Sequence, residues 1–486
     1  MVYRGKPSLG CALCRKRRLT CDQRRPSCSQ CLRVNQECSG YRDPGTLRIC
    51  NQTTEVAVKA QGQRKSISPA KQPPPTTAPI LPPPTSIDQR ALSYIFTYYV
   101  GTIQNQGILS YLPDILNSTP SSALQATIRA VGLASLSKVP ELRRSAAEEY
   151  GIALRATNEA LRDPVSVKSD STLGAVVLLS FYELITCNAS DLMNKWKNHI
   201  QGATKLLELR GEEQLSSHIG LELFTTVRLQ HVISSIFFRI STHDTQRLAS
   251  LSQLARTKRD EHTQHIETFY SILLQLSTLS IKVDNAHRNP DPIKNLSSLI
   301  TQSLHIDTAL ETWATSLGPF WQYTTIDDPR SHFGTTHTYF PLHGDKYHIY
   351  HNVHIASLWN QYRQTRVVLN QMIKTMSLRL WTLENQAAPE YQRTVMQSTA
   401  VIKQMVVDIC DSTPYNFTSG EVGFGGANRL MWPLFIAGNS TERGSATRAW
   451  ILQTLDVIGR TTGIQQAVGM AQLLRKTTTL SMIPGM

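Results

Sequence analysis

The chain has 486 residues, is 41% hydrophobic, and carries 50 Lys and Arg against 36 Asp and Glu, a formal net charge of +14. Its length holds about three ordinary domains and excludes a disulfide miniprotein, while the apolar fraction excludes a chain disordered throughout. The charge is unevenly spread: residues 1–50 carry 11 basic and 3 acidic side chains, residues 51–86 carry 4 and 1, and the remaining 400 carry 35 and 32. A short basic head on a nearly neutral body predicts a polyanion-binding module attached to something of another kind.

Met1 to Gly10 has no apolar core of the length a secretory signal needs, so export is not expected. The longest apolar-looking run, Gly174 to Cys187, has 14 residues and contains Glu183, too short and too polar to span a bilayer. Six of the nine cysteines lie between residues 11 and 38, with Cys50, Cys187 and Cys410 left over. Without an export signal, and with a long body following, such a cluster predicts metal ligation rather than disulfides.

The spacing is Cys11-x2-Cys14-x6-Cys21 followed by Cys28-x2-Cys31-x6-Cys38, so the second triplet repeats the first at an offset of 17. Identical gaps predict two similar loops about a pseudo-twofold axis. Structural zinc takes four ligands, with thiolates at about 2.3 Å. Two ions offer eight coordination places, which six thiolates fill only if two sulfurs bridge. A single ion would leave two thiolates unused, so arithmetic and symmetry favour a binuclear cluster.

The stretch from Gly10 to Tyr41, GCALCRKRRLTCDQRRPSCSQCLRVNQECSGY, resembles the fungal binuclear zinc cluster DNA-binding domain. The resemblance covers the six cysteines, the basic run after the second, Pro26 before the fourth, and the closing Cys-x-Gly-Tyr. It implies two Zn(2+) per chain, with Cys11 and Cys28 bridging, Cys14 and Cys21 completing one site, and Cys31 and Cys38 the other. It also implies a nuclear, sequence-specific transcription factor that regulates RNA polymerase II genes through CGG-type half-sites in double-stranded DNA. Genes of specialised metabolism are among the targets such factors suggest.

Polarity within the head agrees with this. Arg15, Lys16, Arg17 and Arg18 fill the gap after Cys14, whereas the equivalent gap after Cys31 holds only Arg33 as a base. A short helix starting near Cys14 would present the basic run to a major groove. Arg17 and Arg18 are the base-reading candidates, since arginine pairs bidentately with guanine. Arg15, Lys16, Arg24 and Arg25 are candidates for phosphate, which positions without specifying. Two residues depart from the family pattern: Arg18 stands where Lys is usual, and Thr20 where a basic residue is common.

Residues 1–45 are therefore read as the zinc domain and 46–86 as a disordered linker, with eight prolines among the 16 positions from Pro69 to Pro84. No sustained heptad lies between Tyr41 and Asp88, so a homodimer through a zipper is unsupported; binding as a monomer or through the body stays open.

From residue 87 to 486 apolar residues recur at three and four, predicting a large all-α domain. Trp196, Ile200, Ala203, Leu206 and Leu207 form one stripe, closed by Gly211. Leu221 to Ile240, Ile355 to Met376, and Glu141 to Arg162 after Pro140 read similarly. Three phrases resemble the helical regulatory region of fungal-specific transcription factors: Trp196-x2-His199-x2-Gly202 leading to Leu209-Arg210-Gly211, Ala356 through Trp359-Asn360 to Tyr362-Arg363, and Trp432-Pro433-Leu434 to Gly438. The resemblance implies partners in the transcription machinery or co-regulators.

Catalysis is not supported by the sequence. His332, His337, His343, His348, His351 and His354 crowd 23 residues without a zinc-protease pattern, and read as surface or capping histidines. Gly423-Phe424-Gly425-Gly426 lacks the Lys-Ser/Thr of a phosphate loop and reads as a loop before a helix at Leu430. Cys187 reads as a buried small hydrophobe. The rival reading is a ligand-binding or catalytic helical body that the zinc cluster merely tethers to DNA.

Overall fold

The computed structural model describes residues 9–41, 86–101, 108–136, 140–186, 194–238, 245–286, 292–327, 342–384, 388–418 and 424–476. Nearly all of the expected linker, 46–85, lies outside the described residues, as do Cys50, Cys187, His332 and His337. The chain divides into two compact units, residues 1–81 and 82–486, each described by itself.

The head is built on two short helices, α1 (Ala12–Lys16) and α2 (Ser29–Leu32). Helix α1 begins at Ala12, two residues before Cys14, because Cys11 serves as its N-cap and accepts from the Cys14 N–H at 3.4 Å. The offset of 17 holds beyond the cysteines. Ala12 N–H donates to Ser39 Oγ at 3.1 Å, and its counterpart Ser29 N–H donates to Asp22 Oδ1 at 3.1 Å. Each helix start is thus held by the residue that follows the last cysteine of the other loop, satisfying an N–H that a helix cannot satisfy itself. The Tyr41 hydroxyl donates to the Arg24 carbonyl and ties the end of the head to its middle.

In the body, α3 (Ile87–Ile95) starts with a reciprocal cap between Ser86 and Gln89. It packs on α5 (Ser122–Ser135), which follows α4 (Leu112–Ser118) and lies against α6 (Pro140–Arg162) and α7 (Asp170–Thr186). Residues 171 to 185 of α7 are all buried. A helix apolar on every side belongs inside a protein core, and this accounts for the apolar run seen in the sequence. No helix among the described residues is long and apolar enough to cross a membrane.

The Trp196 stripe lies on α8 (Asn194–Arg210), with all five of its residues buried. Gly211 takes φ +63°, the left-handed conformation that ends a helix. Then come α9 (His218–Phe238), α10 (Thr245–Lys258), α11 (Gln264–Ala286) and α12 (Pro292–Ser316). Two four-residue strands, β1 (Thr324–Asp327) and β2 (Lys346–Ile349), pair antiparallel with Thr324 opposite Ile349. They are the only sheet among the described residues, so the body is all-α in architecture as expected.

The longest helices, α13 (Val353–Leu383) and α14 (Pro389–Thr418), pack along each other. They are followed by α15 (Phe424–Asn439), α16 (Ala446–Thr462) and α17 (Gln465–Lys476). Helix α15 begins at Phe424, so Gly425 and Gly426 sit in its first turn and not in a loop before Leu430. Glycine costs a helix about 1 kcal/mol, less than the fully buried Leu430, Leu434, Ile436 and Ala437 return through packing.

Candidate metal centre and nucleic-acid interface

Two groups of four thiols converge in the head: Cys11, Cys14, Cys21 and Cys28, and Cys11, Cys28, Cys31 and Cys38. Within each group all sulfurs lie within 4.8 Å of one another, and Cys11 and Cys28 belong to both. The spacing suits zinc quantitatively. A tetrahedron with metal–sulfur distances of about 2.3 Å has edges of about 3.8 Å. The Cys11–Cys28 separation is 3.8 Å, and the Cys11–Cys31 and Cys14–Cys28 separations are 3.6 Å.

Protonation of the thiols follows the same symmetry. Backbone N–H groups of Cys28 and Gly40 pull the Cys38 thiol down to about 7, and those of Cys11 and Gln23 pull Cys21 down. Burial pushes Cys14 up to about 12, and the hydrogen bond that Cys31 donates to Cys28 raises Cys31, so these two need a cation to ionise at neutral pH. Zinc bound here is a structural tie in place of an apolar core, which 33 described residues do not supply.

The basic run occupies the end of α1 and the turn after it. Lys16, Arg17 and Arg18 are exposed and Arg15 half-buried. Arg24 and Arg25 are also exposed, with Arg24 Nε 3.6 Å from Asp22. On the twin loop the positions equivalent to Arg15 and Arg17 are Leu32 and Val34, both exposed. One loop is therefore dressed for a polyanion and its twin is not.

The three body phrases are structural. Trp196 and Trp432 bring their rings to 6.3 Å, so the first and third phrases meet. His199 lies 3.1 Å from the Tyr150 hydroxyl, which also bonds Glu183, and Arg210 pairs with Asp170 at the start of α7. Trp359 Nε1 donates to the Trp321 carbonyl at 2.7 Å. Arg363, fully buried, donates to the Tyr350 hydroxyl at 2.7 Å and to Asn360 at 3.1 Å, and lies 4.7 Å from the Tyr323 ring centre.

In the histidine-rich stretch His343 and His348 correct the expectation of surface or capping roles, while His351 and His354 are exposed as expected. His348 is buried on β2, with Nδ1 3.1 Å from Thr325 Oγ1 and Nε2 3.8 Å from Asp408. His343 lies 3.4 Å from Asp411 and 3.1 Å from Thr447. They fasten the segment around β2 to α14, whose carboxylates no spacing in the sequence advertises. His351 is exposed and stacks on Phe320, and His354 lies in the first turn of α13. Among the described residues, only the two cysteine groups are close enough to hold a metal ion.

The model of the fungal-specific transcription factor domain matches residues 93–477, most of the chain. The chain belongs to the fungal-specific transcription factor family. The fungal Zn(2)-Cys(6) binuclear cluster domain matches residues 9–47, over the head whose sulfurs converge. The chain is 43% identical over 46 residues to white-opaque regulator 2 of Candida albicans, covering 10% of each chain. It is 45% identical over 38 residues to an uncharacterized transcriptional regulatory protein of Schizosaccharomyces pombe, covering 8% of this chain and 7% of that one. These matches span a tenth or less of the relatives' lengths. No solved structure matches the chain.

Proposed function

We propose that the protein is a nuclear, sequence-specific DNA-binding transcription factor whose zinc head reads CGG-type half-sites and whose helical body regulates. The observation that carries this reading is the head itself: two four-sulfur groups sharing Cys11 and Cys28, with exposed Lys16, Arg17 and Arg18 where the twin loop offers Arg33, Val34 and Asn35. Two zinc ions fit the six thiols. Cys11 and Cys28 bridge, Cys14 and Cys21 close one site, and Cys31 and Cys38 the other. Arg17 and Arg18 read bases, while Arg15, Lys16, Arg24 and Arg25 hold phosphates.

The body's partners are the transcription machinery or co-regulators, and its buried motif residues support a scaffold that presents surfaces rather than a reaction centre. Genes of RNA polymerase II, specialised metabolism among them, are the targets this reading names. Selection of bound sequences from random duplexes, with the full chain and zinc, is the decisive experiment. Enrichment of a CGG-type triplet is expected, and its number and spacing per duplex report whether one chain or two bind. Recovery of unenriched sequence would overturn the reading.

A further inference from the structure

The two helices of the head end alike. In the first loop the Leu19 N–H donates to the Cys14 carbonyl at 3.0 Å, and the Arg18 N–H to the Arg15 carbonyl at 3.2 Å. In the second, the Gln36 N–H donates to the Cys31 carbonyl at 3.1 Å, and the Asn35 N–H to the Leu32 carbonyl at 3.0 Å. These paired bonds are those of a helix C-cap closed by one residue in the left-handed conformation. That residue is Arg18 in one loop, at φ +57°, and Asn35 in the other, at φ +52°.

The slot discriminates between side chains. Glycine has no Cβ to meet the following carbonyl, and asparagine offsets that contact through local hydrogen bonds, whereas arginine carries the Cβ without such a bond. Asn35 satisfies the rule and Arg18 breaks it. Arg18 is exposed, and among the described residues no side-chain hydrogen bond or ion pair of its own offsets the strain. Backbone strain that nothing nearby relieves is characteristic of functional positions.

We infer that Arg18 occupies the left-handed cap of α1 for the sake of DNA, so that recognition and zinc-head stability oppose each other at this residue. The inference rests on the reading of the head as a DNA binder. Arg17 is the last right-handed residue before the turn, which puts Arg18 at the corner where the helix stops. A residue that closes the same turn with less strain stands in the twin loop at Asn35.

The test uses the full chain with zinc, and the variants Arg18→Asn, Arg18→Gly and Asn35→Arg. Competition with a chromophoric chelator reads zinc affinity, and titration with the duplex selected by the unmodified chain and with a random duplex reads discrimination. Arg18→Asn and Arg18→Gly should hold zinc about fivefold more tightly. Both should bind the selected duplex about tenfold more weakly or worse, with a smaller loss on random duplex. Asn35→Arg should loosen zinc by a similar factor and leave discrimination unchanged. Looser zinc in Arg18→Asn and Arg18→Gly would overturn the opposition. Tighter zinc with unchanged discrimination would remove Arg18 from the reading surface. If the unmodified chain itself fails to discriminate, the underlying DNA reading fails instead.

Discussion

Arg228 and Glu267 form an ion pair from which solvent is wholly excluded: NH1 donates to Oε2 at 2.6 Å, and both side chains are 0% exposed. The pair joins α9 to α11. The Arg228 guanidinium lies 4.7 Å from the Phe224 ring centre and 4.5 Å from that of Tyr270. Arg259 adds a second cation, with Nε 3.3 Å from Glu267 and NH1 2.7 Å from Glu222. Such a pair is weak evidence for net stability, but breaking it leaves a buried charge without its partner. Glu267→Ala should therefore destabilise the body by about 3–5 kcal/mol in denaturant unfolding. Combining it with Arg228→Met should restore much of the loss; a double variant as unstable as the single would refute this account.

The sharing of Cys11 and Cys28 between the two sulfur groups separates the cysteines into two classes. Metal analysis of the intact chain should give two zinc ions. Cys21→Ser should leave about one, because the group of Cys11, Cys28, Cys31 and Cys38 stays whole. Cys28→Ser should lose both, since each group then lacks a ligand and classical zinc modules unfold without metal. One ion retained in Cys28→Ser would mean that the sulfurs do not bridge.

The head was legible because ligand spacing is local: the repeat at 17 announced two similar loops before any coordinates. Carried one position further, the same offset pairs Asp22 with Ser39, the residues that hold the helix starts. The start of α1 near Cys14 is legible but not its exact residue, Ala12, because cysteine is not among the side chains that usually mark an N-cap. In the body the Trp196 stripe was readable as a 3.6 period. The Arg228–Glu267 pair, 39 residues apart in sequence, and the fastening of His343 and His348 to Asp411 and Asp408 were not. Long-range polar partners leave no periodic trace. The strands at 324–327 and 346–349 are too short to alternate visibly.

Gly132 lies where α5 meets α3, and a Cβ there would come within 2.6 Å of the Ala91 carbonyl oxygen. The obstacle is backbone, so it yields only if α3 moves. Gly132→Ala should accordingly loosen α3 by about 1–3 kcal/mol and raise amide exchange in residues 87–95 before the rest of the body responds. Exchange unchanged in that segment would show that α3 is not held by this contact.

Lys16 and Arg17 stand side by side, both exposed, at the end of α1, so their roles separate by readout. A phosphate contact adds to binding on every sequence and to its salt dependence. Lys16→Ala should weaken selected and random duplexes alike and lower the salt slope by about one. Arg17→Ala should cost about 1–3 kcal/mol on the selected duplex and relax preference at one base pair. Equal losses on both duplexes for Arg17→Ala would reassign it to phosphate.

Two buried carboxylates tie the body's stability to pH. For Asp408, burial pushes the carboxyl up, but His348, Arg363 and Gln404 outweigh it and hold it below its ordinary value. For Glu183, burial is likewise outweighed by His199, Tyr150 and Lys195. A depressed folded-state pKa means that the unfolded chain binds protons more readily. The stabilisation is therefore present above the ordinary carboxylate range, about pH 4, and is lost as pH falls through the folded values. Denaturant midpoints of the full chain should decline as pH drops below about 4.5, and the decline should be shallower in Asp408→Asn and Glu183→Gln. Each variant should be less stable than the parent at pH 7 and closer to it at pH 3. A parallel decline in parent and variants would place the acid sensitivity elsewhere.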